Sequence, residues 1–428
     1  MAQGRSRPGH ADAPAPSLVA VVSDFPAPSQ TFILRKLTGL RDAGVDVTVA
    51  ATRLGPGAEA HGFGTVALTP WSDPRHAARD PRSLLSAAVA GSTAIARRAP
   101  DWRRRVVQAP VRSLDADLVH VEFSGIAVTY LDALTDLSRD RALVVSCRGA
   151  AEQIEPLVDP ERADALARVF DLVDLVHCVS DDMRRTVEAL GAPPAKILVN
   201  RPAVPVSELA PLRRPARDHD GPLRVLAVGR LHWKKAHDTA LRAVAELARR
   251  GVDVELRIVG DGPERAHLTF LVDQLDLADR VTLLGTRTSA EVREELDATD
   301  VLLLPSLSEG ISNAVLEAMA AGRPVLTTDC GGMREVVDDG VDGLVVPIAD
   351  VDAVADALER LAADPDLRTR LGAAAAERAD RDLDLSRQVA TFLDAYRRLV
   401  PSWPELGAAT PRDLATSAAT RSVDRPSV

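Results

Sequence analysis

Aromatic side chains are scarce: Phe, Trp and Tyr make up 3% of the 428 residues, too few for base-stacking platforms or an aromatic carbohydrate groove. Cysteine is scarcer still. Cys147, Cys178 and Cys330 stand far apart with no CxxC spacing, two of them inside apolar strand-like runs, the pattern of reduced buried thiols in a cytoplasmic protein. The longest apolar stretch, residues 84–96, contains Ser and Thr and falls short of the roughly 20 residues a spanning helix needs. The opening residues 1–16 are rich in Ala, Pro and Gly and carry no apolar signal core. Positive charge is not in excess either: the formal net charge is −10, which disfavours nonspecific nucleic-acid binding by the chain as a whole. The nine histidines form no ligand-spaced pair. Asp-x-Asp spacings occur at Asp115/Asp117, Asp350/Asp352 and Asp382/Asp384, but at strand or helix starts, where capping and solvation account for them. No metal is expected.

What is present is an alternation of short apolar runs and helix-length amphipathic segments. That pattern predicts an α/β protein with parallel sheets covered by helices, and the length suits two domains. Strands are expected at 18–23, 45–50, 117–121, 142–146, 173–179 and 196–199, then at 223–228, 254–259, 281–284, 300–304, 324–328 and 344–346. Between the two series lies a breaker-rich stretch with Pro205, Pro211, Pro215 and Pro222, read as a linker. The expected organisation is a disordered tail at 1–16, a Rossmann-like domain at 17–203, the linker at 204–222 and a second Rossmann-like domain at 223–385. A helix at 386–401 packing back on the first domain and a disordered tail at 402–428 complete it. Ligands in open α/β sheets bind at the carboxyl ends of the strands, so function is sought on the loops there.

Two such loops stand out. In the first, the apolar run Leu302-Leu303-Leu304 ends at Pro305 and leads through Ser306, Glu309 and Gly310 to a helix capped by Ser312 or Asn313 and closed by Gly322 and Pro324. Free N–H groups at such a helix start suit phosphate oxygens. Glu309 and Glu317 are acceptor-only carboxylates able to grip sugar hydroxyls at two ends of an extended ligand. The second loop is Gly229-Arg230-Leu231-His232-Trp233-Lys234-Lys235-Ala236. It places Arg230 and Lys235 where cations can stabilise charge growing on a departing diphosphate, an Arg fork beside a Lys point charge.

The stretch from Leu302 to Ala320 closely resembles the donor-site signature of family 4 retaining glycosyltransferases, enzymes of the GT-B fold, in which two Rossmann-like domains face across a cleft. The resemblance implies that Glu317 holds the donor ribose hydroxyls and that Glu309, with the Gly310 and Ile311 backbone, holds the transferred hexose. The Gly229 loop resembles the family's Gly-Arg-Leu-x-x-x-Lys-Gly motif, with Ala236 in place of the last glycine. Val259-Gly260-Asp261-Gly262-Pro263 resembles the family's Val-Gly-Asp-Gly-Pro turn, while Arg265 breaks a dinucleotide fingerprint. Gly331–Glu335 and Asp339–Gly343 match later family segments and read as turns.

The first half diverges more. Phe25-Pro26-Ala27-Pro28-Ser29-Gln30-Thr31-Phe32 resembles the opening of a subgroup acting in colanic-acid-like exopolysaccharide assembly, with Gln30 replacing a glutamate. This puts Ser29, Gln30 and Thr31 on the acceptor or sugar side. His120-Val121-Glu122-Phe123 resembles the family's His-x-His-Phe, with Glu122 for the second histidine. Arg148 stands where the family has a histidine that contacts the donor sugar. Arg148 fits either an anionic substrate group or a structural bridge to Glu122 or Glu152. The resemblance therefore implies retaining, metal-independent transfer from a nucleoside diphosphate sugar to a glycan or lipid-linked acceptor, with no cofactor. A nucleotide-sugar epimerase or hydrolase of the same fold, and a nucleotide-sugar-binding scaffold without catalysis, are the alternatives. Between Arg75 and Arg112 nine arginines face two aspartates, a surplus suited to peripheral contact with an anionic membrane or to a solvated helical face.

Overall fold

The computed structural model describes residues 15–27, 30–69, 88–89, 102–215 and 221–406. Among them, two sheets are built entirely from parallel neighbours. The first has the order β3-β2-β1-β4-β5-β6-β7. Its strands are β1 Ser17–Phe25, β2 Asp46–Leu54, β3 Gly64–Ala67, β4 Leu118–Val121, β5 Ala142–Cys147, β6 Leu175–Cys178 and β7 Ile197–Val199. The second has the order β10-β9-β8-β11-β12-β13. Here the strands are β8 Leu223–Val228, β9 Val254–Val259, β10 Val281–Gly285, β11 Val301–Leu304, β12 Val325–Thr328 and β13 Leu344–Val346. Central strands are apolar throughout because helices cover both faces: every residue of β4, β11 and β12 is buried.

The strand order reverses between β1 and β4 in one sheet and between β8 and β11 in the other. At such a switch point the loops after neighbouring strands diverge and leave a crevice. The loops after β8 and β11 are the two that carry the motifs.

Each sheet is flanked by apolar clusters. One cluster of the first sheet contains residues from far along the chain: Leu385, Val389, Phe392, Leu393 and Tyr396. They belong to the helix Leu385–Leu399, which crosses back and lies against the Thr31–Asp42 helix. Gly39 lets the helices touch, since a Cβ there would sit 2.6 Å from Val389 Cγ2.

Three expectations need revision. The edge strand β3 was not anticipated: Gly64-Thr65-Val66-Ala67 is too short and small to register as an apolar run, and it pairs only with β2. Residues 204–212 are no free linker, because Val204, Val206 and Leu209 are buried in a second-domain cluster. Ordered chain also continues past 401, with Trp403 buried and its Nε1 donating to Asp117 at 3.1 Å. The expectations for residues 1–14, 407–428 and most of the basic segment lie outside the described residues. The described part of that segment is the helix Trp102–Arg112, where Gln108, Ala109 and Val111 are buried. No helix among the described residues is long and apolar enough to cross a membrane.

Candidate active site

After β8 the chain turns at Gly229 and makes one tight turn, Trp233–Lys235, before the His237–Arg249 helix. The loop after β9 braces it: Gly229 N–H donates to Val259 O at 2.9 Å and Leu231 N–H to Asp261 O at 3.0 Å. Gly260 is needed for this contact, because a Cβ there would lie 1.9 Å from Gly229 O. Ala236, at the position of the family glycine, adopts the left-handed conformation (φ 48°). The turn is therefore kept despite the substitution.

Three cations emerge here. Arg230 is exposed, with no side-chain hydrogen bond or ion pair to another described residue. Lys234 is half-buried, and burial holds its ammonium below the usual lysine range. Lys235 forms an ion pair with Glu309, which also accepts from Ser306 Oγ at 2.8 Å. Beyond Glu309 the helix Asn313–Ala320 begins at Ser312, which makes no side-chain cap bond. Asn313 Oδ1 is buried with no protein partner. An uncapped helix start beside three cations and one carboxylate suits an anion by charge and by geometry.

The opposite wall comes from the first domain. Gln30, Thr31, Phe32 and Arg35 project from the start of the Thr31–Asp42 helix, and Arg148 from the loop after β5. Arg35 Nη1 reaches Glu317 Oε1 at 2.7 Å, tying the two domains together. The domains approach closely at Gly310, where a Cβ would fall 2.7 Å from Arg148 O. Glu335 makes a second bridge between the domains. Its carboxylate accepts from the N–H groups of Asp181 and Asp182 at 2.9 and 2.8 Å, capping the Asp181–Ala189 helix from across the gap, and pairs with Arg201. The enclosed cleft has a volume of about 640 Å³.

Of the residues expected in the site, Gln30, Thr31, Arg148, Gly229, Arg230 and Lys235 line this cleft. So do Gly260, Glu309, Gly310, Ile311, Ser312, Asn313 and Glu317. Ser29 lies outside the described residues. His120 and Glu122 are corrected: both are fully buried and stand behind the wall, not in it. Glu122 instead fixes Arg148, accepting from Nη2 at 2.8 Å through its carboxylate and from Nε at 3.1 Å through its carbonyl. Arg148 thus bridges to Glu122 rather than Glu152, and its guanidinium lies 4.9 Å from the Phe32 ring centre. No group of three or more His, Cys, Asp or Glu among the described residues is arranged to hold a metal.

Behind Arg148 runs a chain of buried hydrogen bonds whose directions follow from its end. Asn200 O can only accept, so His177 Nε2 donates to it at 2.8 Å and His177 Nδ1 accepts from Ser146 Oγ at 2.7 Å. Ser146 Oγ then accepts from His120 Nε2 at 2.8 Å, and His120 Nδ1 accepts from Tyr396 O–H at 2.6 Å. Both rings are neutral in this pattern, and burial pushes His177 down to about 3 and His120 well below the usual histidine range. Lys36 completes the cluster in an ion pair with Glu122, and burial lowers its ammonium to about 8. Charge from Lys36 and Arg148 keeps the Glu122 carboxyl well below the usual range despite its burial.

Lys36, Arg35, His177, Arg201 and Tyr396 did not stand out in the sequence. A signal existed for Lys36: it interrupts the stripe Ile33, Leu37, Leu40 at helical spacing, and a cation on an apolar face calls for a buried partner. The others meet only through long-range folding.

Comparison with known proteins agrees with this geometry. The family model described as Glycosyltransferase Family 4 matches residues 29–208, and the one described as Glycosyl transferases group 1 matches residues 222–364. WcaL of Salmonella typhimurium, named as a glycosyltransferase of colanic acid biosynthesis, is 29% identical over 86% of this chain and 97% of its own. The amylovoran biosynthesis glycosyltransferase AmsK of Erwinia amylovora is 29% identical over 79% of this chain and 88% of its own. The solved structure of Anabaena Alr3699/HepE in complex with UDP superposes with a TM-score of 0.67 at 17% identity, covering 90% of this chain and all of that one. Two family models that between them span both domains, on a two-sheet fold of GT-B type, place this chain among the family 4 glycosyltransferases.

Proposed function

We propose that the protein transfers a sugar from a nucleoside diphosphate sugar to an acceptor hydroxyl in the assembly of an extracellular polysaccharide or a related glycoconjugate. The observation that carries this is the anion site between the β8 and β11 loops, where Arg230, Lys234 and Lys235 outnumber Glu309 beside an uncapped helix start. A nucleoside diphosphate supplies the complementary charge. The UDP complex of the HepE structure and the polysaccharide-assembly names of WcaL and AmsK favour the same reading.

As the bond from the sugar to the diphosphate breaks, both bonding electrons leave with the phosphate oxygen. Arg230 and Lys235 face that growing charge and do the work a metal does elsewhere. Glu317 takes the ribose hydroxyls, with Arg35 sharing its carboxylate. Glu309 and the backbone of Gly310 and Ile311 orient the hexose. No side chain in the cleft is assigned as a nucleophile. The reading is instead retention, with a donor phosphate oxygen taking the proton of the incoming hydroxyl on the same face of the sugar. The acceptor approaches past Gln30 and Thr31 and is a glycan or lipid-linked intermediate, with the basic segment between Arg75 and Arg112 available to an anionic membrane surface.

The test is calorimetric titration with UDP, GDP and ADP. One of them should bind, and Glu317→Ala should weaken it by about 1.5–3 kcal/mol through loss of a charged acceptor. Turnover of the matching sugar donor should persist in excess EDTA. Absence of binding by all three nucleotides would overturn the reading, and loss of turnover with EDTA would overturn its metal-free step.

A further inference from the structure

In the first domain two cations next to the cleft pair with a single buried carboxylate. Lys36 and Arg148 are cations, Glu122 is the one anion that pairs with both, and the direction of the hydrogen-bond chain leaves His120 and His177 neutral. The other buried carboxyl nearby, Glu152, is taken by Ser124 Oγ and the Gly149 N–H, and it makes no ion pair with either cation. Lys36 and Arg148 thus share one carboxylate among groups that are 0–2% exposed, apart from Arg148 at 11%. Of this cluster, Arg148 alone lines the cleft.

Its guanidinium is held for recognition from without. Nε and Nη2 are engaged by Glu122 and Ser146, and the Phe32 ring stands 4.9 Å from its centre. Nη1 has no partner among the described residues. An arginine fixed on one edge by a carboxylate, with its other edge free in a half-closed cleft, binds a planar or tetrahedral oxyanion well.

Resting on the glycosyl-transfer reading of this cleft, we propose that Arg148 recognises an anionic group on the substrate. The donor or acceptor sugar at the reacting centre carries a carboxylate, as a hexuronate does, or a phosphate, and that group meets the free Nη1 edge. A neutral hexose has nothing to offer Nη1 beyond a hydroxyl.

The test compares matched neutral and anionic probes on the full chain, with and without UDP. UDP-glucuronate is titrated against UDP-glucose for the donor. Methyl glucuronoside is titrated against methyl glucoside for the acceptor, and inorganic phosphate stands for a phosphorylated acceptor. At least one anionic probe should bind about tenfold or more tightly than its neutral counterpart, or than chloride in the case of phosphate. That preference should vanish in Arg148→Gln and return in part in Arg148→Lys, which keeps the charge without the fork. Thermal melting checks that both variants are folded. Which probe wins names the source of the anion. The proposal is overturned if no pair separates, or if the preference survives Arg148→Gln. UDP binding that persists while the anion preference is absent would fail this inference and leave the donor site intact. Loss of UDP binding would fail the donor reading itself.

Discussion

Acid should unfold this protein through a histidine that never touches substrate. His177 is fully buried on β6, both ring nitrogens are engaged, and burial holds its ionisation near pH 3 instead of 6.5. Between those values the unfolded chain binds a proton that the folded chain refuses, so stability falls as pH falls. With the folded value near 3, the loss at pH 5 is about 2 kcal/mol, and it reaches about 5 kcal/mol once the pH is below 3. His120 acts with the same sign. The buried Glu122 carboxyl is held low, so its contribution is lost only below the normal glutamate range, while burial raises Glu152, which acts in the opposite sense; comparing a His177 variant with the native chain from pH 7.5 to 5 cancels such groups, which both proteins share. Urea unfolding at those two pH values gives the loss directly. His177→Gln keeps an amide donor and acceptor for Asn200 and Ser146 without a titrating ring, so its loss across the window should be about 2 kcal/mol smaller than that of the native chain, whatever the cost at pH 7.5. Equal losses in the two proteins would refute the neutral-ring chain and the directions assigned to its hydrogen bonds.

Arg230→Ala and Lys235→Ala should each lower kcat on the order of a hundred- to a thousandfold while changing donor affinity less, and the double variant should lose less than the product because both cations serve one diphosphate; normal kcat at saturation would reduce them to binding residues. Glu335→Gln removes the carboxylate shared by Arg201 and the Asp181 helix start. It should cost roughly 1.5–3 kcal/mol and open the cleft, seen as a larger radius of gyration by small-angle scattering. A native scattering profile would show that the latch holds nothing. Ala236→Gly relieves a left-handed alanine, a strain of roughly 1–2 kcal/mol partly offset by the flexibility of glycine when unfolded. Melting should therefore rise by the equivalent of about 0.5 kcal/mol, and a lower melting temperature would mean that the buried methyl outweighs the strain.

Much of this was legible in the residues because the information is local. The runs that became β1, β4, β8 and β11 are apolar because both faces of each strand are covered, and Gly260 and Gly310 mark places where one backbone presses on another. Glu309 and Glu317 are eight positions apart on one loop and helix, so their shared wall could be read without the fold. What stayed hidden depends on distance along the chain. Arg35 meets Glu317 across 282 positions, and Tyr396 meets His120 across 276. No periodicity encodes such partners. His120 and Glu122 were placed in the site by their resemblance to the family's His-x-His-Phe, a motif match that does not say which way the side chains face, and both are buried in the interior.

The returning helix makes the first domain discontinuous in time as well as in sequence. A ribosome releases β1 to β7 and then about 180 residues of the second domain before Leu385–Leu399 emerges, an interval of roughly 10–40 s at ordinary elongation rates. During it the face that Val389, Phe392, Leu393 and Tyr396 will cover stays wet, and Lys36 and the two histidines behind Arg148 lie open to water along one side. The first domain is thus finished from the far end of the chain, and a fragment stopping at Asp384 should leave the ribosome as a holdase client rather than a half-enzyme.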